Sequence, residues 1–274
     1  MIPHSFDYKR ASSVEEAIEI LQNGSYAKVL GGGHSLVPAL KLRLNAPETL
    51  VDVTRIESLK GIAIEEGTLI IGAANTHHEI ATSAEVQNTL SFLAQGASAI
   101  GDVQVRNKGT IGGSIAHADP SADWPALLLA ADAQIVVQGA DGTKTVPAQD
   151  FFTGFFSTVL EESDIITQIR IPIPPAGTKS TYQKFVQPAS RFAIVGCAAV
   201  KEPSGATRVA FAGVSDYAFR DEAVESASSA GVSAEEAAAK AAEGVSIMSD
   251  HYASEDYRKH LAKVYARRAL VEVS

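Results

Sequence analysis

Two glycine-rich segments carry the residues of this sequence that are best suited to binding chemistry. The first, "VLGGGHSL", has three glycines at positions 31–33, followed directly by His34 and Ser35. The second, "TIGGS", spans residues 110–114. Consecutive glycines leave backbone N–H groups unshielded, and such groups bind anions such as phosphate. A tight turn without a ligand is the alternative interpretation of the first segment taken alone.

The two segments together indicate a ligand with two phosphates. Two separate loops of glycine and hydroxyl residues can hold such a ligand from both sides, which suits a dinucleotide better than a single phosphate. The spacing is not G-x-G-x-x-G, we find no acidic residue at the end of a following strand, and the P-loop ending is missing. Asp123, beyond the second loop, could accept hydrogen bonds from ribose hydroxyls or an adenine amine. It could also cap the helix that follows.

Other candidate groups favour neither a metal site nor a nucleophile. His117, Asp119 and Asp123 are close in sequence, but they lack a helical i, i+4 pair and a fourth ligand. His77 and His78 are adjacent, so their side chains point in different directions. No G-x-S-x-G motif marks a catalytic serine. We therefore predict no metal site and name no catalytic residue.

Composition narrows the class of protein. The 274 residues carry a net charge of −9 and no long basic run, which argues against nucleic acid or an anionic membrane surface as a partner. No apolar stretch has the length of a signal peptide core or a membrane span. The single cysteine, Cys197, suits a reducing compartment and excludes both an intrachain disulfide and a cysteine-ligated iron–sulfur cluster. Its apolar surroundings predict a buried, inert thiol.

Helices and strands alternate in the first part of the chain. "SSVEEAIEILQNG" predicts a helix capped by Ser12 or Ser13 and ended by Gly24. "AKVL", "TLVDVTRI" and "TLIIGAANT" predict strands, and a helix is expected to begin near Thr76. "VQNTLSFLAQGASAIG" and "DWPALLLAAD" have helical patterns, whereas "GTIGGSIAHA" is expected to be a strand or a loop beside a ligand.

The second part of the chain predicts antiparallel strands followed by helices. "AQIVVQGADGTKTVPAQDFF" indicates a hairpin with its turn at Asp141-Gly142, and "DIITQIRIPIPP" a strand that prolines end. Beyond the Pro/Gly-rich stretch at 172–177, "STYQKFVQ", "AIVGCAAVKE" and "ATRVAFAGVSD" predict an antiparallel meander. Residues 220–272 predict helices, with a capping pattern at Ser233. The fold class is therefore α+β.

Five segments in order resemble the FAD-binding medium subunit of the molybdenum hydroxylases. They are "VLGGGHSLVPALKLRL", "LVDVTRI", "IGAANTHHEI", "QVRNKGTIGGSIAHADPSADWPALLLAADA" and "RFAIVGCAAV". The resemblance covers nearly the whole chain. It implies an FAD-binding domain of the vanillyl-alcohol-oxidase type at residues 1–176, made of two α/β subdomains. A C-terminal domain with an antiparallel sheet and helices would follow at residues 177–274.

The resemblance also implies which residues contact the cofactor. The two glycine loops would hold the FAD pyrophosphate, Asp123 and Ile100 or Gly101 would lie on the adenosine side, and Ile166, Lys184 and Phe192 would lie near the flavin. The complete implied set is Val29, Leu30, Gly31, Gly32, Gly33, His34, Ser35, Leu36, Ile100, Gly101, Thr110, Ile111, Gly112, Gly113, Ser114, Asp123, Ile166, Lys184 and Phe192.

Two positions depart from the family pattern. Members often carry Ala where Gly31 stands, and often carry Asp where Arg191 stands beside Phe192. Relatives of this flavin fold that attach the cofactor covalently use a histidine, but no distinctive motif marks one here, so we expect non-covalent FAD.

The resemblance implies a role in electron transfer within a complex. A small subunit would carry [2Fe–2S] clusters and a large subunit the molybdenum–pterin site, in a dimer of heterotrimers. FAD in this chain would pass the electrons to NAD, a quinone or oxygen. A cytoplasmic location is expected, with any association with the inner face of the membrane made through the complex. The alternatives are a stand-alone FAD-dependent oxidoreductase, a non-redox assembly subunit, and a phospholigand-binding module without redox function.

Overall fold

A small parallel sheet forms the first subdomain. The computed structural model describes all residues, 1–274. The sheet has the order β1-β3-β2, and both outer strands run parallel to β3. Two helices connect the strands, and the first packs its apolar face on β3 around Val51. The elements are β1 (Asp7–Arg10), α1 (Val14–Asn23), β2 (Ala27–Leu30), α2 (Leu36–Lys41) and β3 (Thr49–Asp52).

Local signals in the sequence explain how the first helix is bounded. The Ser13 side chain accepts a hydrogen bond from the backbone N–H of Glu16, and Gly24 ends α1 by donating to Ile20. Both were predicted, and both predictions are confirmed. The loop from β2 into α2 contains the first glycine motif, which therefore lies between a parallel strand and a helix N-terminus.

The second subdomain combines a five-stranded antiparallel sheet with a layer of helices. The sheet order is β4-β5-β10-β6-β7, and a separate two-stranded hairpin is formed by β8 and β9. Its strands are β4 (Ile62–Glu65), β5 (Thr68–Gly72), β6 (Gln134–Gly139), β7 (Gly142–Pro147), β8 (Phe152–Gly154), β9 (Ser157–Thr158) and β10 (Ile165–Pro172). Its helices are α3 (His77–Thr82), α4 (Ala84–Thr89), α5 (Ser91–Ser98), α6 (Val103–Arg106), α7 (Ile111–His117), α8 (Asp123–Ala130) and α9 (Ala148–Phe151).

Most predictions for this subdomain are confirmed, and two are corrected. Thr76 caps α3 in a reciprocal capping box with Glu79, and β6 and β7 form the predicted hairpin. The turn is Ala140-Asp141 and not Asp141-Gly142, because Gly142 already belongs to β7 and pairs with Gly139. The "TIGGSIAH" segment, expected to be a strand or a loop, is the helix α7. Thr110 accepts a hydrogen bond from the Gly113 N–H, and this cap starts the helix despite its two glycines.

The C-terminal domain is an antiparallel meander covered by helices, as the sequence predicts. The sheet order is β11-β12-β13-β14. Its elements are β11 (Lys179–Val186), β12 (Ala193–Lys201), β13 (Thr207–Ala212), β14 (Phe219–Arg220), α10 (Glu222–Ser229), α11 (Ala234–Ala238) and α12 (Glu255–Glu272). The capping box predicted at Ser233 is present with Glu236. No helix of the chain is both long and apolar enough to cross a membrane.

The central strand of this sheet is buried on both faces. Cys197 and Ala199 of β12 point to α12 and its neighbours, while Ala198 and Val200 join the core of the second subdomain. The sheet is therefore shared by two hydrophobic cores. The Cys197 thiol is fully buried, as predicted, and burial raises its pKa.

Candidate functional site

The two glycine loops lie against each other. The Thr110 hydroxyl, which caps α7, donates a hydrogen bond to the carbonyl oxygen of Gly31. A Cβ atom on Gly113 would lie 2.8 Å from that same oxygen. The predicted loops, 79 residues apart in sequence, therefore form one continuous backbone surface.

The first loop presents a row of backbone donors without protein partners. The N–H groups of residues 31–35 donate to no other atom of the chain. Gly32 and Gly33 have positive φ angles of 113° and 79°, and a Cβ on Gly32 would collide with the carbonyl oxygen of Lys108. Glycine is required at Gly32 for both reasons. Successive free N–H groups in such a conformation form an anion-binding concavity.

The remaining residues of the two predicted loops belong to the elements on either side of this concavity. Val29 and Leu30 end β2, His34 and Ser35 lead into α2, and Leu36 is its first residue. Ile111, Gly112 and Ser114 follow Thr110 in α7. A Cβ on Gly112 would lie 2.7 Å from the Cβ of Ala73, so this glycine serves close packing rather than ligand access.

A cleft of about 370 Å³ opens beside the loops and lies between the first and second subdomains. Leu30, Gly32, Gly33 and Thr110 line it from the loops. The sequence reasoning did not identify its charged lining, which consists of Asp52, Arg55, Lys60, Glu79 and Lys108. Three cations facing two carboxylates suit an anionic ligand with polar groups.

Asp52 in this cleft corrects the sequence reasoning. It is the last residue of β3, so an acidic residue does stand at the end of the strand that follows the first loop. Both of its oxygens are used within the protein, by Thr54 and by the Tyr8 hydroxyl. Burial raises its pKa, but these hydrogen bonds and the charge of Arg10 outweigh that effect and hold the pKa below its ordinary value.

A second group of predicted residues meets where the C-terminal domain contacts α5 and α8. Lys184 of β11 donates to a carboxylate oxygen of Asp123 at 2.8 Å and to the carbonyl oxygen of Ala99 at 3.2 Å. The Tyr182 hydroxyl donates to the other oxygen of Asp123. The helix α8 begins after Ala122 without a side-chain cap, so the expectation that Asp123 caps it is wrong. Burial raises the pKa of Asp123 although Lys184 and Tyr182 oppose this.

The segment next to Ala99 is held by an arginine. Arg106 donates from one guanidinium nitrogen to the carbonyl oxygens of Ile100 and Gly101, at 2.9 and 3.0 Å. Ile100 and Gly101 are thus linked on one side to α6 and on the other to the Lys184 pair. Arg106 lies in "QVRNKGTIGG", directly before the second loop, and a cation preceding a glycine motif is the sequence signal that could have identified it.

The last two predicted residues lie on other elements than the glycine loops. Ile166 of β10 is buried in the core of the second subdomain. Phe192 is 41 % exposed, and the adjacent Ala193 donates to Ser121, between α7 and α8. His117 packs against Phe156, with ring centroids 5.0 Å apart. No three His, Cys, Asp or Glu side chains form a group suited to a metal ion.

Comparison with known proteins gives matches over nearly the whole chain. Residues 4–174 match the FAD binding domain in molybdopterin dehydrogenase, and residues 180–273 match the CO dehydrogenase flavoprotein C-terminal domain. The carbon monoxide dehydrogenase medium chain of Hydrogenophaga pseudoflava is 41 % identical over 98 % of this chain and 97 % of its own length. The glyceraldehyde dehydrogenase medium chain of Sulfolobus acidocaldarius is 34 % identical over the full length of both.

A solved structure has the same fold. Carbon monoxide dehydrogenase from Hydrogenophaga pseudoflava, in a form lacking the Mo-pyranopterin moiety of the molybdenum cofactor, superimposes with a TM-score of 0.94. The match covers 100 % of this chain and 98 % of the solved chain, at 40 % sequence identity. The α+β fold and the family resemblance predicted from sequence are both confirmed.

Proposed function

The chain belongs to the family defined by the FAD binding domain of molybdopterin dehydrogenases, and from this membership we propose that it is the FAD-carrying electron-transfer subunit of a molybdenum-containing hydroxylase complex. It is an oxidoreductase flavoprotein, as its relatives are dehydrogenase subunits. In the proposed complex it takes electrons from the [2Fe–2S] clusters of one partner and delivers them to an external acceptor.

The row of free N–H groups at residues 31–35 is the observation that carries the proposal. FAD contains a pyrophosphate, and a concavity of backbone donors beside two helix N-termini is chemically suited to it. The collision that a Cβ on Gly32 would make shows how closely the two loops are packed there. When bound, FAD supplies the capacity to exchange electrons singly or in pairs. The protein contributes position and electrostatics.

The remaining predicted residues extend the site to both sides of the pyrophosphate. We assign Ile100, Gly101 and Asp123 to the adenosine side, and Ile166 and Phe192 to the neighbourhood of the flavin. Lys184, which was expected near the flavin, pairs with Asp123 at 2.8 Å and is therefore assigned to the adenosine side as well. The buried ion pair of Asp123 and Lys184 joins α8 to β11 and so fixes the position of both elements at this side of the proposed site. Binding is non-covalent in this proposal. The proposal also divides the chain into two domains between residues 176 and 177, and the Pro/Gly-rich link before β11 supports this division.

Partners supply the chemistry that this chain lacks. A single buried cysteine cannot ligate an iron–sulfur cluster, so the clusters belong to a small subunit. The molybdenum–pterin site belongs to a large subunit, and we propose a dimer of such heterotrimers. Relatives named as medium chains support the presence of a larger and a smaller partner subunit. The cytoplasmic location expected from the cysteine content stays a prediction.

The visible absorption spectrum of the purified full-length chain, before and after adding FAD, tests the cofactor. We expect the two visible bands of an oxidised flavin, their absence in Gly32→Val, Gly33→Val, and release of free flavin on denaturation. A chain that stays colourless with excess FAD would support an assembly role instead.

Anaerobic mixing with a reduced [2Fe–2S] protein tests the electron-transfer role. We expect rapid bleaching of the flavin bands and no sustained oxidation of NADH or NADPH by the chain alone. Sustained oxidation would favour a stand-alone oxidoreductase. A flavin that an iron–sulfur protein cannot reduce would contradict the proposal.

A further inference from the structure

His77 is fastened to the second glycine loop through its backbone. It is the first residue of α3, directly after the Thr76 cap, and its N–H donates to the carbonyl oxygen of Gly109 at 3.0 Å. The Ile111 N–H donates to Asn75 on the other side of this short bridge. The position of His77 relative to the loop is therefore set by the main chain. The residue is only 4 % exposed.

A buried tryptophan determines which nitrogen of this imidazole carries the proton. The indole N–H of Trp124, itself fully buried, donates to His77 Nδ1 at 3.0 Å. Because Nδ1 accepts, the proton of the neutral ring must be on Nε2. Burial and the nearby charges of His34 and Arg106 lower the pKa of His77 to about 4, so the ring is neutral at physiological pH.

The Nε2–H group of His77 has no partner in the protein. It makes no hydrogen bond within the chain, although the ring is almost completely buried. Nε2 keeps a small accessible surface. The one fully enclosed side-chain nitrogen or oxygen that lacks a hydrogen-bond partner in this chain is Arg258 Nε. Nε2 stands 2.7 Å from the point where a Cβ on Gly109 would be. A nearly buried donor without a protein partner needs water or a ligand as its acceptor.

Gly109 links this donor to the anion-binding concavity. Its Cα lies 3.2 Å from the position of a Cβ on Gly32, in the first loop. His34, which ends the row of glycines, and Arg106 both lie near enough to influence His77 electrostatically. Through Gly109, His77 thus lies beside the place where the two loops meet.

We propose that His77 donates a hydrogen bond from Nε2 to a phosphate oxygen of the bound dinucleotide, with Trp124 as the positioning residue that fixes the tautomer. The inference rests on the proposed FAD function. A neutral donor suits this place, because a buried cation would carry a larger desolvation cost. A hydrogen bond to a charged group contributes enough that its loss weakens binding about tenfold or more.

Two substitutions at position 77 test the two ring nitrogens separately: Nε2, which is proposed to contact phosphate, and Nδ1, which accepts from Trp124. In His77→Asn the amide oxygen can replace Nδ1 as the acceptor for Trp124, but nothing replaces Nε2–H. In His77→Gln the amide nitrogen reaches the place of Nε2. His78→Asn is the matched control, since His78 is the exposed neighbour on the same helix. We expect FAD to bind at least tenfold more weakly to His77→Asn, within about threefold of wild type to His77→Gln, and unchanged to His78→Asn.

Equilibrium binding of FAD and of riboflavin to the full-length variants tests the inference. Riboflavin lacks phosphate, so the loss in His77→Asn should appear with FAD and not with riboflavin. Equal FAD affinities for wild type and His77→Asn would overturn the inference alone. Failure of wild type to bind FAD would overturn the proposed function, and the inference with it.

An NMR measurement covers the case in which His77→Asn does not fold. In wild-type protein with ¹⁵N-labelled histidine, the Nε2–H signal of His77, assigned from its absence in His77→Gln, should shift when FAD is added. A signal that stays in place at saturating FAD refutes the hydrogen bond.

Discussion

The buried ion pair between Asp123 and Lys184 makes a quantitative prediction about stability. Both side chains are 4 % exposed, and together with the Tyr182 hydroxyl they join α8 to β11. Asp123→Ala leaves the Lys184 ammonium buried with only the Ala99 carbonyl oxygen as a partner. Removing one partner of a buried pair costs about 3–5 kcal/mol. For a chain of this size the unfolding midpoint should fall by about 5–9 °C.

By the same reasoning, removing all three polar groups should lower the stability of the fold much less than removing Asp123 alone. Burial raises the pKa of Asp123 in spite of Lys184, so the free-energy cost of desolvating the carboxylate offsets most of its attraction to the ammonium group. We expect Asp123→Leu, Lys184→Met and Tyr182→Phe together to stay within about 2 kcal/mol of wild type. If Asp123 and Lys184 also contact FAD as proposed, the triple variant regains stability but not FAD affinity.

Thermal and urea unfolding of the FAD-free variants can be followed by fluorescence. Trp124 is the only tryptophan of the chain and the neighbour of Asp123 in α8, so its emission reports on this interface. Glu57→Ala is the matched control, because it breaks the exposed pair of Glu57 and Lys60, and exposed pairs contribute less than about 1 kcal/mol. The reasoning is refuted if Asp123→Ala costs no more than this control.

Three further results are expected. Gly32→Ala should lose FAD binding because its Cβ meets Lys108, whereas Gly205→Ala, also at positive φ but with nothing within 4 Å, should bind FAD normally and lose only about 1–2 kcal/mol by denaturation. Thr110→Val should cost about 2 kcal/mol and weaken FAD binding, measured by titration, because it removes both the α7 cap and the bond to the first loop. The pKa of His77, about 4 against 6.5 unfolded, means that the native state binds fewer protons between these values. About 3 kcal/mol of stability should therefore be present above pH 6.5 and be lost as the pH falls to 4. Urea unfolding at several pH values should show this loss of unfolding free energy in wild type and not in His77→Asn.

Features set by neighbours in sequence could be predicted, and those set by distant partners could not. The ends of α1 follow from Ser13 and Gly24, and the hairpin of β6 and β7 from its turn residues. These signals act within a few residues, so the sequence alone contains them. The two glycine motifs are equally local, which is why the sequence alone marks them as candidates for binding an anion.

The helix α7 shows how tertiary contacts override local preference. Two glycines in a row disfavour a helix. The Thr110 cap and the bond from the Gly112 N–H to Ala73 hold the segment in place, and the second of these is not visible in the sequence. Asp123 is similar, because its partner Lys184 lies 61 residues away and reaches it only when the C-terminal sheet packs on α8.

The sheet shared by two hydrophobic cores has a consequence for how the chain is made. During synthesis the first 176 residues leave the ribosome before β11–β13 exist, so the apolar surface of α5 and α8 that those strands cover stays open to water. A nascent chain in this state is prone to aggregate and is a natural client for chaperones. A fragment that stops before β11 should inherit the same weakness permanently, whatever its affinity for FAD.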